Sequence, residues 1–182
     1  MSRRSSEPVA TTGPSRATGV VLQAATNDDW AQIWCFLEPV LRAGATLALP
    51  VEWGADEARA FWFSPAHSVR VAKLDNQVVG SYYLKANQLG HGAHLANCGY
   101  VTDRVYAGRG VATAMCLDSL DRAREAGFEA MLFNLVVETN ERAIRLWSNL
   151  GFAVVGRIPE AFRHPSAGMV AALVMWRTLA ID

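Results

Sequence analysis

The near-continuous apolar run from Phe128 to Val137 constrains this chain more than any other stretch. It is too short to cross a membrane as a helix, and it reads as a strand buried on both faces. Helix-period segments flank it. Ala112, Cys116, Leu120 and Ala123 mark one face of a helix closed by Gly127. Ala143, Leu146, Trp147 and Leu150 mark one face of a shorter helix closed by Gly151. His94 to Thr102 reads as a strand before this unit; Phe152 to Ile158 and Met169 to Thr178 read as strands after it. The rhythm strand, helix, strand, helix, strand, strand requires at least one parallel crossover, so the fold class is α/β.

The front half is built differently. Residues 19–25 (GVVLQAA) suit a short strand. Thr26 or Asn27 can cap a helix whose first turn holds Asp28 and Asp29. Trp30, Ile33, Trp34, Leu37 and Leu41 give that helix one apolar face, and Pro39 is expected to end or kink it. A second helix is expected from Asp56 to Phe63, stopped by Ser64-Pro65. Ser68 to Leu74 and Gln77 to Lys85 form a hairpin across Asp75-Asn76. Pro159, Arg163, His164, Pro165 and Gly168 mark a loop between the last two strands.

One domain is expected over residues 19–182, preceded by a disordered leader over residues 1–18. The leader lacks the apolar centre of a secretory signal, and Glu7 with its prolines argues against a transit peptide. Lys+Arg equals Asp+Glu at 17 each, which gives no global attraction to nucleic acid or an anionic membrane. Cys35, Cys98 and Cys116 lie far apart without metal-site spacing, which suits a reducing, cytoplasmic location. His91 and His94 have no third ligand in view, so no metal is expected. The oligomeric state stays open, a homodimer included.

Ala107-Gly108-Arg109-Gly110-Val111-Ala112-Thr113 lies between a strand and a helix. Glycines there let the backbone turn its N–H groups toward a ligand, and the helix start adds free N–H groups and partial positive charge. With Arg109 this makes a site for a pyrophosphate. A Walker A loop would need Gly-Lys-Ser/Thr, and a Rossmann fingerprint a third glycine where Thr113 stands. Taken alone, the loop reads equally as a plain turn. It also resembles the acyl-CoA loop of the GNAT acetyltransferases, Arg/Gln-x-x-Gly-x-Gly/Ala, matched by Gly110 and Ala112 but not by Ala107. The second signature of that family, Asn-x-x-Ala-x-x-Leu-Tyr-x-x-Leu-Gly-Phe, is similar to Asn140 through Phe152, with Trp147 in the tyrosine position.

The resemblance implies a mixed, mostly antiparallel seven-stranded sheet with splayed central parallel strands and about four helices. It implies acetyl-CoA as co-substrate, held by the backbone of Tyr100, Val101 and Thr102, by the loop from Ala107 to Thr113, and by Asn140, Ala143 and Trp147. Direct attack by an amine is implied, with no covalent enzyme intermediate. Indole is no useful acid, so Trp147 is assigned to packing, and Ser148 or Tyr106 is a candidate proton donor. Glu138 is read either as a base acting through water or as a cap for the following helix, the cap being preferred.

Polar residues inside apolar strands mark the acceptor side. Asn97 and Asn134 must each be hydrogen-bonded, either to neighbouring backbone or to substrate. HGAHLANCGYV, LFNLVVETN and RLWSNLGFAVVGRIP together resemble a subgroup that acetylates proline analogues such as azetidine-2-carboxylate. That resemblance implies that Asn97 and Asn134 hold a substrate carboxylate. Arg163 is a further candidate for substrate contact. The leading expectation is an enzyme acetylating a small-molecule amine. The alternatives are a protein N-terminal or lysine acetyltransferase and an inactive acyl-CoA sensor.

Overall fold

The computed structural model describes residues 19–180, and the leader expected over residues 1–18 lies outside them. In chain order the elements are β1 (Val21–Ala24), α1 (Trp30–Ala43), α2 (Ala55–Trp62), β2 (Ser68–Leu74), β3 (Gln77–Ala86), β4 (Leu95–Thr102), α3 (Val111–Glu125), β5 (Ala130–Val137), α4 (Glu141–Asn149), β6 (Ala153–His164) and β7 (Gly168–Thr178). The strands form one seven-stranded sheet in the order β1-β2-β3-β4-β5-β7-β6. Only β4 and β5 run parallel.

Local chemistry explains most of the boundaries. Asp75 and Asn76 carry the β2–β3 turn with φ of 49° and 65°, a conformation that Asp and Asn tolerate better than other side chains. Gly44 ends α1 in the left-handed region. The helix does not end at Pro39 but continues to Ala43. The carbonyl this proline frees is that of Cys35, an exposed residue, so water can satisfy it. Burial of Ile33, Phe36, Leu37 and Leu41 holds the helix together on both sides of the proline.

The expected loop after Ile158 is largely strand. Residues 159–161 bulge from β6, because Ile158 pairs with Ala172 and Phe162 with Val170. β6 is an edge strand, where Pro159 costs no ladder hydrogen bond and Glu160 can take a φ of 51°. Arg163 and His164 therefore pair with Met169 and Gly168 instead of lying in a loop.

Helices cover both faces of the sheet. α3 and α4 pack on one face over Met115, Leu120, Met131, Phe133 and Trp147. α1 and α2 pack on the other over Ile33, Leu37, Trp62, Val71 and Val101. Strand β4 serves both sides: Ala96 and Cys98 face α3 and α4, and Val101 faces α1 and α2.

Candidate functional site

The sheet opens at the one parallel pair among the described strands. β4 and β5 are in register at Leu95–Ala130 and Ala96–Met131 and nowhere beyond. Asn97 marks the last clasp: its Nδ2 donates to the Leu132 carbonyl at 2.8 Å. β5 then bulges, since Phe133 pairs with Met175 and Val136 with Leu173, which puts two residues opposite one. From Gly99 to Thr102 the β4 edge toward β5 has no strand partner. Parted strands leave backbone N–H and C=O groups that an extended, amide-bearing ligand can satisfy.

A cleft of about 560 Å³ fills the gap. One end is lined by Gly108, Gly110, Val111, Ala112 and Thr113, the middle by Cys98, Tyr100, Phe133 and Trp147, and the far end by Thr46 and Leu47 of the α1–α2 connection. The cleft thus runs from the start of α3, through the sheet, to the side of α1 and α2.

The glycine loop is built to face an anion. Gly108 and Gly110 have φ of 81° and 78°, which side-chain-bearing residues rarely adopt. Gly110 caps α3, and no side chain caps that helix, so its first-turn N–H groups point into the loop. The Arg109 guanidinium stacks 5.1 Å from the Tyr106 ring centroid and does not line the cleft; Arg104 and Arg142 do. The arginines that line the cleft are therefore Arg104 and Arg142, not the Arg109 that the sequence singles out.

α4 presents Asn140, Ala143, Leu146 and Trp147 to the cleft. Asn140 Oδ1 accepts from the Ala143 N–H at 3.2 Å, so the cap is Asn140 and not Glu138. Trp147 is 8% exposed, with ring centroids 5.0 Å from Tyr100 and 5.1 Å from Phe133. The indole is a wall of the cleft.

Ser148 and Glu138 lie outside the cleft, and Tyr106 lines it with its hydroxyl engaged elsewhere. Ser148 is exposed on the outer side of α4, one residue and about 100° of helix rotation from Trp147. Tyr106 lines the cleft, but its hydroxyl donates to Gln77 Oε1 at 2.8 Å, at the β2–β3 turn. Glu138 receives two bonds from Arg157, at 2.6 and 2.8 Å. That guanidinium holds its carboxyl below the usual carboxylate range, and the pair lies in solvent outside the cleft. Arg163 is exposed on β6 and likewise outside the lining. Cys98 lines the cleft, yet burial pushes its thiol well above the usual range and keeps it protonated and unreactive.

Asn134 is exposed at the β5 bulge, and its Nδ2 donates to Asn87 Oδ1 at 2.6 Å. Asn97 is 9% exposed. The two asparagines are thus near the point where the strands part, although neither lines the cleft itself. Sequence reasoning missed Thr46, Leu47, Arg104, Phe133 and Leu135 as cleft residues. Their signal is tertiary: three elements far apart in sequence meet at the gap.

Among the described residues, no group of three or more His, Cys, Asp or Glu side chains is placed to hold a metal ion. No helix among them is long and apolar enough to cross a membrane.

Residues 30–152 match the acetyltransferase (GNAT) family. The chain is 28% identical over 144 residues, 70% of this chain and 69% of the other, to the N-acetyltransferase aca1 of Schizosaccharomyces pombe. Its structure resembles that of a GCN5-related N-acetyltransferase from Kribbella flavida, with a TM-score of 0.84 and 39% identity, covering 88% of this chain and 98% of that one. It also resembles an acetyltransferase of Salmonella typhimurium solved with its cofactor acetyl-CoA, with a TM-score of 0.79 and 18% identity over 91% of this chain and 96% of that one.

Proposed function

From the premise that this chain belongs to the acetyltransferase (GNAT) family and is an acetyl-CoA-dependent N-acetyltransferase, we propose that its acceptor is a small amino or imino acid, of the class of proline analogues such as azetidine-2-carboxylate. The observation that carries this reading is the placing of two amide side chains, Asn97 and Asn134, where β4 and β5 part. Each amide nitrogen has two protons and shows one protein acceptor, so each retains a donor for a substrate carboxylate. Amide donors bind a carboxylate without introducing a cation that would disfavour the ammonium form on arrival.

In this reading the first-turn N–H groups of α3, with Arg104 and Arg142, hold the phosphates of acetyl-CoA. The free edge of β4 from Gly99 to Thr102 pairs with the pantetheine amides. Ala143 leaves room for that arm beside α4, and Trp147 packs along it. The co-substrate supplies the thioester. The protein aligns the acceptor nitrogen with it, and the protonated Cys98 leaves direct transfer as the route. The three cysteines are free thiols, which suits a cytoplasmic enzyme.

The test is a coenzyme A release assay over amino acids, imino acids, polyamines and N-terminal peptides. Fastest turnover with a small amino or imino acid, lost when its carboxylate is amidated, is the expected result. Preference for a peptide, or indifference to amidation, would overturn the reading.

A further inference from the structure

Gly99 has an ordinary extended backbone within β4, so its lack of a side chain is not explained by φ. A β-carbon there would lie 2.5 Å from Cε1 and Cζ of Tyr83 and 2.6 Å from its hydroxyl. Tyr83 is the cross-strand partner of Gly99 on β3, and its ring lies flat across β4 with the phenol end over Gly99. Gly99 itself lines the cleft at the part of β4 that β5 has left. Glycine is therefore the seat that lets a tyrosine hydroxyl reach the parted edge from the side of α1 and α2.

The ring is held in place. His67 stacks on it with centroids 4.4 Å apart and planes 10° from parallel. Trp62 and Phe61 meet it edge-on at 5.1 and 5.6 Å. Partial burial lowers the pKa of the His67 ring, which favours the neutral form beside the phenol. The hydroxyl of this packed ring makes no hydrogen bond among the described residues. It is not a buried unsatisfied atom, so it reaches solvent and is open to a ligand at the parted edge.

We propose that the Tyr83 hydroxyl contacts the acceptor amine, accepting from its N–H so that the nitrogen lone pair is aimed at the thioester. This rests on the proposed function: with the acetyl-CoA phosphates at the start of α3, the acceptor meets the thioester from the opposite side, where Thr46 and Leu47 line the cleft beside α1 and α2. Burial pushes the phenol up to about 12, so it stays a neutral hydroxyl that directs the amine without taking its proton.

Tyr83→Phe removes one oxygen and keeps the packing. Gly99→Ala keeps the hydroxyl and displaces it. Both are assayed with whichever acceptor of the panel turns over fastest, amino acid or peptide, so a wrong acceptor class and a wrong role for Tyr83 give different results. For Tyr83→Phe, acceptor kcat/KM is expected to fall about tenfold, chiefly through kcat. Its acetyl-CoA affinity by calorimetry, and the slow hydrolysis of acetyl-CoA without acceptor, are expected to stay unchanged. Gly99→Ala should lower acceptor kcat/KM as well, and because Gly99 also lines the cleft no unchanged acetyl-CoA affinity is expected of it; Tyr83→Phe decides. A folded Tyr83→Phe enzyme with parental acceptor kcat/KM would overturn the proposal, and so would an equal fall in transfer and hydrolysis, which would place the hydroxyl on the thioester.

Discussion

Asn97 and Asn134 are proposed to share one task but have different surroundings, and this makes their alanine variants separable. Asn97 is 9% exposed and donates to the Leu132 carbonyl at 2.8 Å where the β4–β5 ladder stops. Asn97→Ala removes that bond and leaves a carbonyl without its partner, a loss of about 2 kcal/mol. For a domain of this size that corresponds to a fall in melting temperature of about 4–8 °C. Asn134 is exposed and bonded to Asn87, so Asn134→Ala should cost no more than about 0.5 kcal/mol, or under about 2 °C. Each variant also removes one donor to a charged group, about 1.5–3 kcal/mol, and should raise the acceptor's Michaelis constant about ten- to a hundredfold. Calorimetric melting and acceptor kinetics on the same preparations read both axes. Amidating the acceptor's carboxylate should add little further loss in either variant, because the interaction is already gone. An Asn97→Ala protein that melts with the parent would refute the clasp. An Asn134→Ala enzyme with an unchanged acceptor Michaelis constant would refute the carboxylate site.

Three other outcomes follow from the geometry. Gly110→Val places a β-branched side chain at a φ of 78° in front of the α3 amides; it should abolish acetyl-CoA binding by calorimetry while the fold survives a strain of about 1–3 kcal/mol, and a folded variant binding like the parent would mean the loop is only a turn. Trp147→Phe keeps an aromatic wall against Tyr100 and Phe133, so it should weaken acetyl-CoA affinity and retain most of kcat; a collapse of kcat at saturating acetyl-CoA would contradict the packing role. Glu138 is held deprotonated by its hydrogen bonds to Arg157. A depressed folded pKa means the pair contributes above the usual carboxylate range and is lost as pH falls through the folded value. Glu138→Gln should therefore leave the rate between about pH 6 and pH 9 unchanged, whereas a large fall in rate across that window would restore it as the base.

The parts of the site that the sequence reveals are those set by local backbone chemistry. Gly108, Gly110, Asn140 and the two closing glycines do their work within a turn of where they stand, so a pattern of spacings finds them. Ser148 could have been set aside by the same logic: Ala143, Leu146, Trp147 and Leu150 define the inward face of α4, and the residue after Trp147 must turn away. Tyr106 could not, because Gln77 is 29 residues distant and only the folded β2–β3 turn brings it near. Pro159 and Glu160 imitate a loop, and only the edge position of β6 makes them compatible with a strand. Tyr83 lay hidden behind register. A glycine inside an apolar strand signals a close approach, but the approaching group is named only by the pairing of β3 with β4.

That pairing also explains why so much depends on one strand. Along β4, Ala96 and Cys98 point to the side of α3 and α4, while the alternate position Val101 points to the side of α1 and α2, with Asn97 and Gly99 in step with it. Strand alternation means that a slip of one residue would exchange the two sets, sending Tyr83's seat to the α3 side and an apolar residue to the side of α1 and α2. β3 fixes one edge of β4 over seven residue pairs, but β5 holds the other edge at only two. The Asn97–Leu132 bond lies at the end of that short ladder, where a third pair would otherwise form. It lets the strands separate for a ligand without leaving the Leu132 carbonyl unpaired at the fork. A side chain is suited to this task because it can bridge a widening gap that main-chain groups can no longer span.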